Sequence, residues 1–358
     1  MSRSDGMNYA PEGKPSPVCQ QGDFPFAATH LDHGHIYGQC NGLVEAGGDL
    51  RWVYDRDESK VEAFRAKFPQ AKPAASLEEI LDDASIKLVA AAAVPSERGP
   101  LGCRVMDCGK DYFTDKTPFT TLDQLKQARA TATRTGKKYM VYYSERLHAE
   151  CAVLAGQLVR QGAIGRVFQT IGSGPHRLNA SSRPAWFFEK DNYGGILCDI
   201  GSHQSEQFLF FAGAKDARVN YSAAANFNNP EYPELEDFGE ASLTGDNGAS
   251  GYYRVDWFTP GGLRSWGDGR TFIFGTKGTI ELRKYVEPAA ANPEGDQLYL
   301  VDDKGEHHIS CAGKIGYPFF GQLILDCLNR TEKAMTQEHA FKAAELCLKA
   351  QAQAARLE

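Results

Sequence analysis

The feature that most constrains this chain is a repeated switch of hydrophobic period that begins at Phe24. "FPFAAT" is an apolar run of strand length, and "HIYGQCNGLVEAG" after it is helix-like and ends in a Gly-Gly stop. "LRWVYD" (50–55) is a second strand. "DESKVEAFRAKFP" (57–69) is an amphipathic helix with Val61, Phe64 and Phe68 on one face. "SLEEILDD" (76–83) opens with a serine followed three residues later by glutamate, a capping-box signature. "IKLVAAAAV" is apolar throughout, as a strand covered on both faces requires. "GPLGCRVMDCGK", "DYFTD", "TLDQLKQARATATRTG" and "KKYMVYY" continue as helix, strand, helix and strand. This rhythm predicts an α/β, Rossmann-type parallel sheet of the doubly wound kind.

After Tyr143 the rhythm changes. "ECAVLAGQLVRQGAIG" (150–165) reads as a helix, "RVFQTIGSGP" as a strand and 176–194 as a loop. "GGILCDIGSHQSEQFLFFAG" is helical in its second half, and strands dominate from 217 to 310 with Gly, Asp and Asn turns. The tail is two amphipathic helices. This predicts an α+β domain with a large open, mainly antiparallel sheet. At 358 residues the chain exceeds what one core usually supports. The expected division is a flexible arm at 1–23, a dinucleotide-binding domain at 24–146, and a substrate-binding and oligomerisation domain at 147–358. The C-terminal helices are free to pack back on the first domain.

Composition excludes some partners. A net charge of -7 argues against nucleic acid and anionic membranes. No apolar run approaches the roughly 18 residues that span a bilayer, and the N-terminus lacks the apolar segment of a secretory signal. A cytoplasmic location is the expectation. The nine cysteines include no C-x-x-C pair, so they read as reduced thiols.

The residues that carry chemistry fall at strand ends. Asp55 ends the second strand, 21 residues after Gly34, where an acidic side chain accepts the adenosine ribose hydroxyls. That favours NAD and disfavours NADP, although Arg56 follows directly. Lys116 lies just past the fourth strand, where open α/β sheets place ligands. Asp199 and His203 are four apart and share a helical face, a proton-transfer pair by type. His30, His33 and His35 with Asp32 are metal-ligand types, yet their spacing matches no common zinc motif, and no metal is expected.

Taken together, these stretches resemble the glucose–fructose oxidoreductase / inositol dehydrogenase / rhizopine-catabolism (Gfo/Idh/MocA) family, over nearly the whole chain from Phe24. The family's G-G-x-x-x-D-x-G-x-H signature matches "GGILCDIGSH" fully, at Gly194, Gly195, Asp199, Gly201 and His203. Its Glu-Lys-Pro signature matches "DKT" at 115–117 only in the lysine. "GTKGTIEL", "PFFGQL" and "EHAFKAAELCLKAQ" also look like the family. The resemblance implies an oxidoreductase acting on the CH–OH of a sugar, polyol or derivative, with NAD as cofactor. It implies His203 as the base, Asp199 as its orienting partner, and Lys116 as a contact to the reacting hydroxyl and the nicotinamide ribose. His176, Arg183, Trp186 and Tyr193 on a closing loop, with Tyr143, suit a polyhydroxylated substrate. A homodimer or homotetramer through the open sheet follows from the same likeness. A redox-neutral glycosidase or lyase using tightly bound NAD, and a non-catalytic sensor of the same fold, remain alternatives.

One stretch departs from the family. The turn "THLDHGHIYG" should be rich in glycine but keeps only Gly34 and Gly38, with His30 and Asp32 at expected glycine positions. Asp32 there would repel a pyrophosphate. Gly34 and Gly38 are expected to keep the backbone close to the phosphates, with His33 and His35 as altered cofactor contacts. After the third strand Pro95 is kept, and Arg98 is expected to replace lost phosphate contacts.

Overall fold

The alternating region folds as predicted into an all-parallel sheet in the computed structural model, which describes residues 5–289 and 295–358, with a sixth strand of two residues at Lys72–Pro73 beside the five the pattern marked. Its elements are β1 Pro25–Thr29, α1 His35–Glu45, β2 Asp49–Tyr54, α2 Glu58–Lys67, β3 Lys72–Pro73, α3 Leu77–Asp82, β4 Leu88–Ala91, α4 Pro95–Asp107, β5 Asp111–Asp115, α5 Leu122–Thr135 and β6 Tyr139–Tyr142. The strand order β3-β2-β1-β4-β5-β6 is doubly wound, so the chain reverses direction across the sheet between β1 and β4. Ligands of such sheets bind outside the carboxyl ends of those two strands. Strands β1, β4, β5 and β6 are buried along their whole length, which is why β4 reads as an unbroken apolar run, whereas β5 buries Asp111 and Asp115 at its ends.

Local chemistry sets the helix ends. Ser76 accepts the Glu79 amide at 3.2 Å, while Glu79 reaches back to the Ala75 amide at 2.6 Å. Thr121 caps α5 through the Gln124 amide, and Gly136 ends it in the left-handed conformation.

The rest of the chain adds α6 Ser144–Leu147, α7 Glu150–Arg160, β7 Val167–Pro175, α8 Lys190–Tyr193, α9 Ile196–Asp199, α10 Gly201–Ala212, β8 Ala217–Ala225, β9 Phe238–Gly245, β10 Ser250–Asp256, β11 Arg270–Gly275, β12 Gly278–Arg283, β13 Gln297–Asp302, β14 Gly305–Ser310, α11 Pro318–Asn329, α12 Gln337–Ala352 and β15 Ala355–Arg356. Nine strands form one sheet in the order β14-β13-β12-β11-β7-β10-β9-β8-β15. It is mainly antiparallel, but β7 pairs with β10, and β15 with β8, in parallel. The stretch 176–194, expected as a loop, holds short helical turns at Ala180–Ser182 and Ala185–Phe188 as well as α8. Among the described residues no helix is long and apolar enough to cross a membrane.

The chain divides into two compact units. One holds residues 7–142 and 317–341, and the other holds 5–6, 143–316 and 342–358 among the described residues. In the first unit, Phe319 and Phe320 of α11 pack on Phe113, and Phe341 of α12 packs on Phe119 and Tyr139.

The expected flexible arm needs correction. Residues 1–4 lie outside the described residues, but residues 7–18 are tied along α1. Asn41 donates to the Pro11 carbonyl at 3.2 Å, the Gly13 amide donates to the Glu45 carboxylate at 2.9 Å, and the Ser16 and Val18 amides donate to the Glu45 and Ala46 carbonyls. A side chain on Gly34 would meet the Met7 carbonyl oxygen at 2.4 Å, and one on Gly38 would meet the Tyr142 hydroxyl at 2.7 Å and Ala10 at 3.4 Å. The glycines of α1 therefore give room to this strap and to neighbouring rings.

Gly42 belongs to the same pattern, since a β-carbon there would lie 2.5 Å from the Phe320 ring. Overpacking costs about 1–3 kcal/mol, more than the roughly 0.8–1.0 kcal/mol that alanine gains over glycine in a helix. Gly42→Ala should therefore lower the urea midpoint. An unchanged or raised midpoint would show that the ring moves aside.

Candidate functional site

In the first unit the turn after β1 is stitched to its neighbours. The His30 amide donates to the Tyr54 carbonyl, the Ala92 amide to the His30 carbonyl, and the His33 amide to the Ala92 carbonyl. His30 takes φ +52°, a left-handed conformation that glycine adopts at less cost, so the turn keeps a glycine-type backbone without the glycine. Asp32 does not face this turn as a lone charge, because Lys60 pairs with it at 2.6 Å.

Asp55 sits where the sequence placed it. Its carboxylate accepts the Leu31 amide at 2.6 Å and the Asp57 amide at 2.9 Å. A carboxylate has about four lone-pair sites, so the two amides leave part of its acceptor capacity unused, with Lys60 3.9 Å from Oδ1. Beside it a cleft of about 370 Å³ is lined by His30, Tyr54, Arg56, Ser96, Glu97 and Arg104. These residues fit the adenosine half of a dinucleotide, with Arg56 at the edge. Pro95 opens α4 at its first turn, a position that suits proline.

Three expected phosphate contacts lie elsewhere. Arg98 is fully buried and donates to the Ala93 carbonyl at 2.7 Å, to the Thr117 and Lys116 carbonyls, and to Asp115 at 3.2 Å. It is a structural tie, because its donors are taken by the chain. Gly34 and Gly38 are covered by the strap and by Tyr142 instead of standing open to phosphate.

His33 and His35, expected as cofactor contacts, turn inward onto Asp115. His35 Nδ1 is 2.9 Å and His33 Nδ1 3.4 Å from its carboxylate oxygens. The His35 amide donates to His33 Nδ1 at 3.2 Å, so the ring proton of neutral His33 sits on Nε2. Burial, then the neighbouring His35, holds His33 well below the usual histidine range, with Lys116 and Arg98 adding to the effect against Asp115. Burial pushes the Asp115 carboxyl up, but His35, Arg98 and His33 outweigh it and hold it well below the carboxylate range. The three side chains are close enough to converge on a metal ion. The adjoining guanidinium and lysine make the local field unfavourable to a cation. Lys116 itself is buried, with 5 % exposure, directly after β5.

In the second unit, Gly194 and Gly195 have φ +88° and +89°, which explains why the signature needs glycine at both. They lead into α9, which ends at Asp199, and α10 begins two residues later. Asp199 and His203 are both buried, with Tyr143 beside His203 at a ring distance of 6.5 Å. Arg183 is buried, its guanidinium stacked on Phe187 and Trp257, its Nε donating to the Leu178 carbonyl, and its charge within reach of Asp5 and Asp199. Trp186 is half-buried against Phe187. Tyr193, expected to bind substrate, instead bridges the Glu234 carbonyl and the Glu236 amide through its hydroxyl and is fully buried.

His176 stands at the end of β7 and not on a mobile loop. Its Nδ1 lies 3.1 Å from the Gly174 carbonyl, and its ring packs on Trp266. Its Nε2 is 4.0 Å from Glu145. Glu145 and its partner Lys284 were not among the residues the sequence singled out. Both are buried and form an ion pair at 3.0 Å.

Comparison with known proteins agrees with this architecture. A model described as an oxidoreductase family with an NAD-binding Rossmann fold matches residues 28–143, and one described as a GFO/IDH/MocA C-terminal domain matches residues 153–281. A D-xylose dehydrogenase of Paenarthrobacter nicotinovorans is 24 % identical, over 58 % of this chain and 53 % of its own. The NAD-dependent scyllo-inositol 2-dehydrogenase of Bacillus subtilis is 26 % identical, over 63 % of this chain and 64 % of its own. The chain thus spans less than two thirds of the length of these curated relatives. A crystal structure described as an oxidoreductase from Erwinia carotovora atroseptica SCRI1043 is 49 % identical with a TM-score of 0.91, covering 94 % of this chain and 100 % of that one.

Proposed function

Since the chain belongs to the Gfo/Idh/MocA oxidoreductase family, we propose that it transfers hydride between a secondary alcohol of a sugar, polyol or derivative and NAD. The observation that carries this reading is the Gly194–His203 stretch, whose first two glycines take the positive φ the signature needs. NAD, when bound, supplies the hydride acceptor. His203 takes the hydroxyl proton, since a histidine exchanges protons near neutral pH. Asp199 orients His203 or holds a neighbouring hydroxyl. Lys116 contributes a cation that favours the developing alkoxide. The sugar and inositol dehydrogenases among the relatives support the substrate class. Asp55 and the adjoining cleft hold the adenosine end, and the carboxylate disfavours a 2′-phosphate.

The same reading includes a homodimer or homotetramer and a cytoplasmic location. What supports self-association is one face of the nine-stranded sheet. The register puts Ile171, Tyr252, Phe272 and Phe274 on that face, and Tyr252 is exposed.

The test is NAD binding by calorimetry on the full chain, followed by a screen of sugars and polyols for NADH formation. Asp55→Ala should weaken NAD binding about 10–100-fold, the equivalent of losing hydrogen bonds to a charged group. If the wild-type chain binds no nicotinamide dinucleotide, the proposal fails. Net NADH formation separates a dehydrogenase from a redox-neutral enzyme.

A further inference from the structure

The buried charges beneath α10 form a system that the signature residues do not explain. Glu145 Oε2 accepts Lys284 Nζ at 3.0 Å, Gln204 at 2.9 Å and Gln207 at 3.2 Å. Gln207 is held in turn by Thr271 at 3.1 Å. One oxygen of the carboxylate is thus fixed by three donors, two from α10 and one from the segment after β12. The other, Oε1, is buried and accepts no hydrogen bond among the described residues. An unsatisfied buried acceptor costs stability, and apolar replacement of such pairs is often neutral or stabilising. A pair kept under those terms points to a use other than stability. Oε1 is the oxygen nearest His176, at 4.0 Å, and Gln204, which grips the carboxylate, is the residue after His203.

We propose that Glu145 and Lys284 are positioning residues for His203, a fixed pair of opposite charges that sets the proton affinity of this base. The inference rests on His203 being the base of the proposed reaction. Glu145 raises the proton affinity of His203, because a nearby negative charge favours the imidazolium. Lys284 opposes it. The balance keeps the histidine able both to accept and to release a proton. In the same surroundings Glu145 itself is subject to burial, which pushes its carboxyl up, yet Lys284, His203 and His176 together hold it at about 2, so its charge persists throughout the working range.

His176, with Nε2 4.0 Å from Glu145 Oε1, is the neighbour that also titrates, and its own ring signal is followed in the same spectra; the remaining charged neighbours do not vary in that range or are already matched. Arg146 beside Glu145 is bound bidentately to Glu206 of α10. Asp199 on α9 lies in the field of Arg183. Tyr143, and Tyr253 of β10, which lies 3.3 Å from Ser205, are buried phenols pushed up by desolvation.

The test is the titration of His203 by NMR on the full chain labelled in its histidine rings, with its signal assigned by loss in His203→Gln. Glu145→Gln should lower the proton affinity of His203 about tenfold, and Lys284→Met should raise it by a similar factor, one pKa unit in each direction. Lys284→Arg keeps the charge and should leave His203 in place. A pair too far from His203 to act on it would leave its titration unmoved in both variants. Shifts of the same sign, or none, overturn the proposal. Should Glu145→Gln not fold, Glu145→Asp retracts the carboxylate by one methylene and should move His203 in the same downward direction; an unmoved His203 there also overturns it. The titration needs no substrate. Opposed shifts in a chain that binds no nicotinamide dinucleotide would keep the electrostatic coupling to His203 and sink the proposed reaction, and with it the role of His203 as its base.

Discussion

Replacing His203 with alanine is expected to lower turnover by about 10²–10⁴-fold, the usual contribution of a positioned general base. The loss should appear in kcat far more than in NAD affinity, because in the proposed reaction the imidazole acts on the hydroxyl proton while Asp55 is the proposed adenosine contact. His203 is 2 % exposed and Tyr143 stacks edge-on near it, so the truncation leaves a small cavity, and the fold should be checked by circular dichroism. The measurement is hydride transfer with the first sugar or polyol found to support it. Equal turnover in a folded variant removes His203 from the mechanism.

The second large effect is on stability. Asp115→Asn removes the one negative charge that Arg98, His35 and His33 share. Breaking a buried pair this way costs about 3–5 kcal/mol, because an uncompensated cation is left inside. Urea unfolding of the variant should show a loss of that order, and a loss below about 1 kcal/mol would mean the cluster reorganises. The wild type should show the matching pH dependence. His33 has a lowered folded affinity for protons, so the unfolded state gains a proton first. Stability is complete above the unfolded histidine value of about 6.5 and falls as pH drops below it. Asp115 is also held low when folded, so a second loss starts below about 3.9. A stability profile flat from neutral pH to about pH 4 would contradict the histidine part.

Much of the fold was legible because covered parallel strands read as unbroken apolar runs and their helices read at a different period. The direction of β7 against β10 was not legible, since a period of two is the same for parallel and antiparallel pairing. The positions of Asp55 and Lys116 just past strand ends, and of Asp199 and His203 on adjoining helical turns, were legible from the pattern; their roles belong to the proposal. Glu145 and Lys284 were not. In "YSERL" and "LRKYV" they look like surface charges, and only a contact 139 residues apart buries them together. His33 and His35 were read as facing a cofactor because they lie on the turn. The available signal for their inward direction was Asp115, which stands where the family signature has glutamate. The strap was read as a tail because its Pro, Gly and Ser content has no period, while its hold on α1 runs through backbone groups bonded to Asn41 and Glu45.

That strap has a consequence for synthesis. α1 has eleven residues, including Gly38 and Gly42. Isolated helices shorter than about 12–15 residues are marginal in water, and each glycine weakens them by roughly another 0.8–1.0 kcal/mol. The strap has no regular structure beyond one short turn at Gly6–Asn8. Neither piece is stable alone, so they settle together once the first strand and helix have left the ribosome. The strap is thus secured together with α1 and no earlier. A bulky insertion ahead of Met7 would act on that joint step, slowing maturation of the chain before it altered the finished site.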